Sequence, residues 1–284
     1  MNKKIVLITG SSRGIGRKTA IALAEQGHRV YASMRRPSPQ TEFSEVSKES
    51  KQNIFVKTLD VIDKRSIEKT VEEIMEEAGR VDVVINNAGH GLLGPIELVT
   101  EKEIHEQFDV NVYGVIRVIQ AVLPIMRRQK SGHVINISSI GGIVSNPFLG
   151  VYCATKHALE ALSASLAATV FPWNIKVTVV QPAATATEFG KVLFQTEAGE
   201  GNPYRESCEQ YRSELLDRLE EGQPPEEIAD LIAEIIQLKH PRFRYQTNER
   251  GISLAKQFVT DPSGDDWLNA EKEKFHGQHR SHHQ

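Results

Sequence analysis

The sequence predicts an α/β fold in which helices cover both faces of a doubly wound parallel sheet of about seven strands. Three observations predict it: short runs rich in valine and isoleucine recur along the chain, helical patterns lie between them, and the two kinds of segment alternate six times. Strands buried on both faces read as continuous apolar runs, and regular alternation with helices joins such strands into one parallel sheet by right-handed crossovers.

The predicted strands are short runs in which β-branched residues follow one another almost without interruption. They lie at 4–8, 29–33, 54–59, 81–86, 133–137 and 175–180, with a last strand at 244–247. A strand with one face in water alternates apolar and polar residues instead. These runs therefore indicate a sheet covered on both faces.

The predicted helices carry apolar residues at every third or fourth position. One stripe runs from Ile104 to Val122 and begins at a capping box formed by Thr100 and Glu103. Two further stripes comprise Ile67, Thr70, Val71 and Ile74, and Leu159, Leu162, Leu166 and Val170. Another helix is expected at 224–238.

Composition excludes several classes of protein. The 284 residues are 39% hydrophobic and 25% charged, with a net charge of −3, which gives no bulk attraction to nucleic acid or to an anionic membrane. The two cysteines cannot form a disulfide framework or a zinc cluster, and neither a membrane-spanning run nor a signal peptide is expected. A cytoplasmic globular protein without a metal site or an integral membrane segment is predicted.

We expect a single domain over residues 1–284, although the length alone would allow two. Its predicted parts are a cofactor and catalytic core (1–190), a substrate lid (187–223), a C-terminal helix and strand extension (224–275) and a disordered tail (276–284). The tail contains four histidines without a pattern, which favours a solvated end over a metal site.

A glycine-rich turn follows the first predicted strand. Residues 9–16 read Thr-Gly-Ser-Ser-Arg-Gly-Ile-Gly and lead into a helix. Glycines allow the backbone to approach a pyrophosphate closely, and the helix N-terminus offers N–H groups and positive dipole. The spacing Gly-x-x-x-Gly-x-Gly is weak evidence alone and stronger evidence at this place in a βαβ unit.

The end of the second strand favours NADP(H) over NAD(H). An NAD site has an acidic residue there for the ribose 2′-hydroxyl, whereas this strand ends with Met34, Arg35 and Arg36. Arg13 in the glycine turn and Arg35 could hold a 2′-phosphate through bidentate contacts. The alternative is that both are ordinary surface arginines.

A candidate catalytic pair lies at the start of a later helix. Tyr152 and Lys156 are four residues apart and share one helix face, and a phenol acting near neutral pH needs a neighbouring cation. Ser139 follows the fifth predicted strand, at the sheet edge where ligands of open α/β sheets bind. Its hydroxyl could hold a carbonyl oxygen while Tyr152 transfers the proton.

Together these motifs resemble those of the short-chain dehydrogenase/reductase family. The matching positions are 9–16, Asp60, 86–89, Asn111, Ser139, Tyr152 and Lys156. The resemblance implies a Rossmann-type domain and nicotinamide-dependent oxidoreduction of an alcohol and carbonyl pair. It implies that Tyr152 is the general acid/base, that Lys156 lowers its pKa, that Ser139 orients the substrate oxygen, and that Asn111 holds a water of the proton relay.

The resemblance also implies the cofactor contacts. With the two arginines, the expected cofactor-binding residues are Gly10, Ser12, Arg13, Gly14, Ile15, Gly16, Arg35, Asp60, Val61, Asn87, Ala88, Gly89, Tyr152, Lys156, Pro182 and Thr187. The sequence departs from the family at Ala183, which replaces the glycine that usually follows the proline. If that position required a positive φ, alanine would be strained there by about 1 kcal/mol or more.

The segments expected around the substrate are apolar. The loop 142–150 and residues Phe189, Val192, Leu193 and Phe194 contain few polar groups, and Lys191 is the one expected cation. The stretches 30–33, 151–160, 241–245 and 261–264, followed by Phe275, resemble the 17β-hydroxysteroid dehydrogenase and retinol dehydrogenase branch. That branch implies a hydrophobic steroid-like or retinoid-like alcohol or carbonyl substrate, and the family implies a homodimer or homotetramer.

Two alternatives remain open at this point. A general short-chain reductase would act on 3-oxoacyl or small carbonyl substrates. A non-catalytic NADP-sensing protein would keep the fold and lose the chemistry. Such a protein would be free to lose Asn111, Ser139, Tyr152 or Lys156. All four residues are present, which favours an enzyme.

Overall fold

The computed structural model describes residues 3–38, 43–196 and 198–260, together with 263, 265, 266, 268–270 and 272. The tail predicted at 276–284 lies outside the described residues. So do Asp261, Pro262, Gly264 and Phe275, which contributed to the resemblance in the C-terminal region.

The described part of the chain contains nine strands and nine α-helices. The strands are β1 (Ile5–Ile8), β2 (Arg29–Met34), β3 (Ile54–Thr58), β4 (Val83–Asn86), β5 (Gly91–Leu93), β6 (Gly132–Ile137), β7 (Ile175–Gln181), β8 (Leu193–Gln195) and β9 (Arg244–Gln246). The helices are α1 (Gly14–Glu25), α2 (Lys48–Lys51), α3 (Lys64–Ala78), α4 (Glu101–Phe108), α5 (Gly114–Gln129), α6 (Gly150–Val170), α7 (Arg205–Glu220), α8 (Pro225–Ile235) and α9 (Glu249–Thr260).

Seven strands form one parallel sheet in the order β3-β2-β1-β4-β6-β7-β9, which confirms the predicted fold class. Leu7 in β1 pairs with Tyr31 on one side and with Val84 on the other. The strand order reverses between β1 and β4. Ligands of such sheets bind outside the carboxyl ends of the strands at this reversal, so the topology gives the position of the site.

Each face of the sheet is covered by its own apolar cluster. On one face Val6 and Ile8 pack with Leu23 of α1 and Ile232 of α8. On the other face Leu7 packs in a cluster with Ile67 of α3 and with residues of α5. Val6, Leu7 and Ile8 thus point alternately to opposite faces and are all fully buried, which explains why the strand sequence does not alternate with polar residues.

Two elements differ from the expectation. The helix predicted as one stripe from Ile104 is interrupted by a π-helical turn at Asp109–Tyr113, between α4 and α5. Its predicted start is confirmed, because the Thr100 and Glu103 side chains form the capping box. A second, two-stranded parallel sheet of β5 and β8 was not predicted, because three-residue strands are too short to show a periodic pattern.

Among the described residues, one helical stretch is long and apolar enough to cross a membrane by length and composition alone. It is Glu101–Gln129, which comprises α4, the π-helical turn and α5. Within it, Val118 and Val122 are fully buried in the core beneath the sheet. Core helices pass the same composition test, so the absence of an integral membrane segment stays a prediction.

Candidate active site

The glycine-rich turn is fastened to the end of β4. Gly10 has a φ of +70°, and a Cβ atom there would lie 2.8 Å from the Cα of Ala88. The side-chain amide of Asn87 donates hydrogen bonds to the carbonyl oxygens of Thr9 and Gly10, both at 2.9 Å. Only glycine can adopt the left-handed backbone at position 10 and also leave room for the backbone of Ala88 beside it.

The turn leaves the N-terminus of α1 facing the cleft. Gly14 has a φ of +55° and begins the helix, and the residue before it, Arg13, makes no side-chain hydrogen bond to the helix end. The first N–H groups of a helix have no partner within it and carry positive dipole. The residues present therefore fit the pyrophosphate of a dinucleotide.

The ends of β2 and β3 line the same cleft. Arg35, directly after β2, is exposed and lines it, as does Asp60, which follows β3 and accepts a hydrogen bond from the N–H of Ile62 at 3.2 Å. Arg13 lines the cleft as well, and its Nη1 lies 3.9 Å from a carboxylate oxygen of Glu188. No acidic residue ends β2, as the sequence indicates.

Tyr152, Ser139 and Lys156 meet where α6 crosses the end of β6. The hydroxyl of Tyr152 is hydrogen-bonded to the side chain of Ser139. The Nζ of Lys156 donates to the carbonyl oxygen of Ile137 at 2.9 Å and lies 5.8 Å from the centroid of the Tyr152 ring. The helix spacing and the strand end thus bring a phenol, a hydroxyl and an ammonium group together.

Burial moves the two pKa values of this pair in opposite directions. Loss of water contact raises the pKa of Tyr152, and the hydrogen bond with Ser139 opposes that rise. Burial also lowers the pKa of Lys156 to about 8, opposed by the charge of Glu160. The charged form of each group is disfavoured when it is buried, so a phenolate at Tyr152 would depend on the neighbouring ammonium of Lys156.

One cleft of about 690 Å³ contains almost all of the predicted site residues. Only Asn111 and Gly16 among them do not line it. Gly16 packs behind the turn, where a Cβ atom would lie 2.6 Å from the carbonyl oxygen of Gly10. The cofactor half and the catalytic group therefore belong to one continuous space.

Comparison with known proteins places the chain in a family. The sequence model of the short chain dehydrogenases matches residues 4–198. The chain belongs to the short-chain dehydrogenase family. A 3-ketodihydrosphingosine reductase of Bacteroides thetaiotaomicron is 40% identical over 86% of this chain and 87% of the relative. The human 17-beta-hydroxysteroid dehydrogenase type 1 is 36% identical over 95% of this chain and 85% of the relative.

The fold agrees with this membership. A solved short-chain dehydrogenase from Streptomyces avermitilis has a TM-score of 0.80 and 31% identity, and the match covers 99% of this chain and 98% of that one. The chain is thus an oxidoreductase that acts on CH–OH groups with a nicotinamide cofactor. The predicted resemblance to the hydroxysteroid dehydrogenase branch is confirmed.

In this short-chain dehydrogenase Asn111 lies behind the cleft. It sits in the π-helical turn, and its amide nitrogen donates to the carbonyl oxygen of His90 at 3.0 Å and to Oγ1 of Thr155 at 3.1 Å. Its amide oxygen accepts from the N–H of His90 at 3.1 Å. The π turn, a feature frequent at functional sites, ties α6 to the chain after β4 through this one side chain.

Sequence reasoning missed the carboxylate one helical turn from Lys156. Glu160 is buried one helical turn after Lys156, accepting hydrogen bonds at 2.7 Å from Arg244 and from Gln181. A buried carboxylate needs such partners. The i+4 spacing from Lys156 was visible in the sequence, whereas the partners from β7 and β9 come together only in the fold.

Ala183 fits its position without strain. It lines the cleft, but the non-glycine residues with positive φ in the described chain are Lys130, Phe148 and Asn174, so Ala183 needs no left-handed backbone. Its N–H donates to Oγ1 of Thr247 at 3.4 Å. The strain that would accompany a positive φ does not arise.

The half of the cleft beyond Tyr152 is apolar. The ring of Tyr152 lies 5.7 Å from the ring of Phe189, centroid to centroid. The other apolar side chains lining the cleft include Leu149, Leu193, Phe194, Tyr211, Leu215, Leu219 and Leu254. The side chain of Lys191 is not described, while two arginines that the sequence did not single out, Arg218 and Arg250, line the cleft.

Proposed function

We propose that this short-chain dehydrogenase interconverts a hydrophobic alcohol and its ketone or aldehyde with NADP(H). The observation that carries the proposal is the position of Tyr152, hydrogen-bonded to Ser139 between a dinucleotide cradle and an apolar half-cleft. A substrate carbonyl beside this pair would lie between the nicotinamide end and the apolar lid. Mostly apolar clefts with a few convergent polar groups are typical of such ligand sites.

The chain's own groups perform the proton chemistry. When bound, the nicotinamide supplies or accepts the hydride. In reduction, the hydroxyl of Tyr152 donates its proton to the carbonyl oxygen, while Ser139 stabilises the negative charge that develops there. Lys156 then stabilises the phenolate, and Asn111 holds the backbone around His90, consistent with its proposed role in a proton relay.

The preference for NADP(H) is part of the proposal. It is supported by the missing acid after β2 and by Arg35 on the cleft surface. We expect Arg35→Asp to weaken NADPH binding about 10- to 100-fold, because a charged hydrogen bond to the 2′-phosphate is worth about 1.5–3 kcal/mol. NADH binding should improve, because a carboxylate at this position accepts from the ribose 2′-hydroxyl.

Cofactor fluorescence titration measures both affinities. Arg36→Asp is the matched control, because Arg36 is also exposed but does not line the cleft. Equal losses of NADPH affinity in the two variants would mean that the loss comes from the change in the protein's overall charge and not from a contact between Arg35 and the cofactor. An unchanged NADPH affinity in Arg35→Asp would remove Arg35 from the cofactor site.

The substrate class is supported by the apolar half-cleft and by the relatives. The names of the two relatives, a 3-ketodihydrosphingosine reductase and a hydroxysteroid dehydrogenase, both describe enzymes of hydrophobic substrates. The test is NADPH consumption with estrone, retinal, 3-ketodihydrosphingosine, a 3-oxoacyl thioester and acetone. We expect the large apolar carbonyls to have the highest kcat/KM. A preference for acetone or for the thioester would favour a general short-chain reductase instead.

A homodimer or homotetramer is also proposed. The supporting observation is the exposure of large apolar side chains on and beside α5 and α6. Leu162 is 40% exposed although it continues the predicted stripe, Phe171 is 79% exposed and Tyr113 is 47% exposed. Association of α5 and α6 with a second copy would bury such residues.

A further inference from the structure

Helix α7 presents one charged residue among the apolar residues that line the cleft. Tyr211, Leu215 and Leu219 line it from this helix, and Arg218 lines it beside them. These positions fall on one helical face, since Leu215 follows Tyr211 by four residues and is itself followed by Arg218 after three and by Leu219 after four. The cleft wall on this side is therefore apolar except for one guanidinium group.

Contacts from its own helix hold this guanidinium. Nε of Arg218 donates to the carbonyl oxygen of Glu214 at 3.1 Å, and Cζ lies 5.3 Å from the centroid of the Tyr211 ring. Within the described chain, Nη1 and Nη2 have no hydrogen-bond acceptor and no carboxylate is in ion-pair range of Arg218. Nη2 is buried as well.

Such a group requires an acceptor. An arginine keeps its charge at any physiological pH, and a buried charged N–H without an acceptor is costly. A guanidinium N–H donates a strong, charge-assisted hydrogen bond to a carboxylate oxygen. A cation that no carboxylate of the described chain neutralises is suited to an anion supplied by a ligand.

We propose that Arg218 determines specificity by binding a carboxylate group of the substrate, in addition to the carbonyl that reacts at Tyr152. This inference rests on the proposed function and narrows it, because preferred substrates would then be apolar oxo acids and hydroxy acids. Neutral carbonyls of the same size would still react but would bind more weakly.

The test compares acids with their methyl esters. The probes are 4-formylbenzoate, 4′-formylbiphenyl-4-carboxylate and 3-oxo-5β-cholan-24-oate, which place the carboxylate at increasing distance from the carbonyl. With NADPH in excess, we expect the protein to prefer at least one acid over its ester in kcat/KM by about tenfold or more. Arg218→Leu should remove that preference by lowering kcat/KM for the acid, mainly through KM, and Arg218→Lys should retain part of it.

Arg212→Leu is the matched control, because Arg212 is exposed on the same helix and does not line the cleft. If every ester reacts as well as its acid, or if both arginine variants lose the preference equally, the role of Arg218 is refuted while the proposed function stands. If no probe is reduced, the proposed function is in question. Calorimetric titration of 5β-cholan-24-oate into the protein with NADP⁺ then decides on Arg218: binding lost in Arg218→Leu alone supports it, and equal binding in the two variants overturns it.

Discussion

Replacement of Tyr152 by phenylalanine is expected to lower kcat about 10²- to 10⁴-fold, the range in which a positioned general acid contributes. The change removes only the hydroxyl that is hydrogen-bonded to Ser139. The ring remains to pack against Phe189, so the cleft should keep its shape. Steady-state reduction of an apolar ketone with NADPH measures the loss.

The control for this variant is its affinity for NADPH, which fluorescence titration should find within a few-fold of that of the unmodified protein. Ser139→Ala is expected to lower kcat as well, since it removes the partner of the same hydroxyl. If Tyr152→Phe retained full turnover, another group would have to deliver the proton, and the proposed mechanism would be wrong.

Replacement of Lys156 by methionine is expected to abolish most activity and to stabilise the fold at neutral pH. Burial lowers the pKa of Lys156 to about 8 from its ordinary value of 10.5. The difference of 2.5 corresponds to about 3 kcal/mol that the folded protein loses by keeping the ammonium charged below pH 8. Methionine avoids that loss but leaves the buried carbonyl oxygen of Ile137 without its donor, which costs about 1–3 kcal/mol, so the net gain is at most about 2 kcal/mol.

The pH dependence follows from the sign of this shift. Between pH 8 and 10.5 the unfolded chain holds the lysine proton and the folded chain has released it, so the unmodified protein gains stability as pH rises. The advantage of Lys156→Met in urea unfolding should therefore shrink across this range. Lys69→Met, at an exposed position of α3, is the control and should show no such trend. A constant difference between Lys156→Met and the unmodified protein would contradict a buried ammonium.

The parts of the site that the sequence predicts are those that local rules determine. The turn at Gly10 and Gly14 follows from chain geometry at a strand-to-helix junction, and the pairing of Tyr152 with Lys156 follows from helix spacing. Both lie in the cleft as expected, because strand ends in a parallel sheet meet at one edge.

The parts that the sequence does not predict depend on contacts between distant segments. The pairing of Glu160 with Arg244 joins α6 to the last strand, and the position of Arg218 depends on how α7 closes over the cleft. Phe148 has a left-handed backbone, with a φ of +57°, and its ring lies 5.7 Å from that of Tyr211, centroid to centroid. Propensity would have placed such a conformation at a glycine, so only the tertiary fold reveals it.

The proposed transfer of hydride from the cofactor to the substrate is tested most directly by following a deuterium label in the cofactor. The protein is incubated with an apolar ketone and NADPH that carries deuterium at C4 of the nicotinamide, with each of the two C4 positions labelled in turn. Transfer of deuterium from one of them to the carbinol carbon of the product is expected, and Tyr152→Phe should slow it about 10²- to 10⁴-fold. Tight NADPH binding without deuterium transfer from either position would contradict the proposed oxidoreductase activity. It would favour a protein that only senses the cofactor.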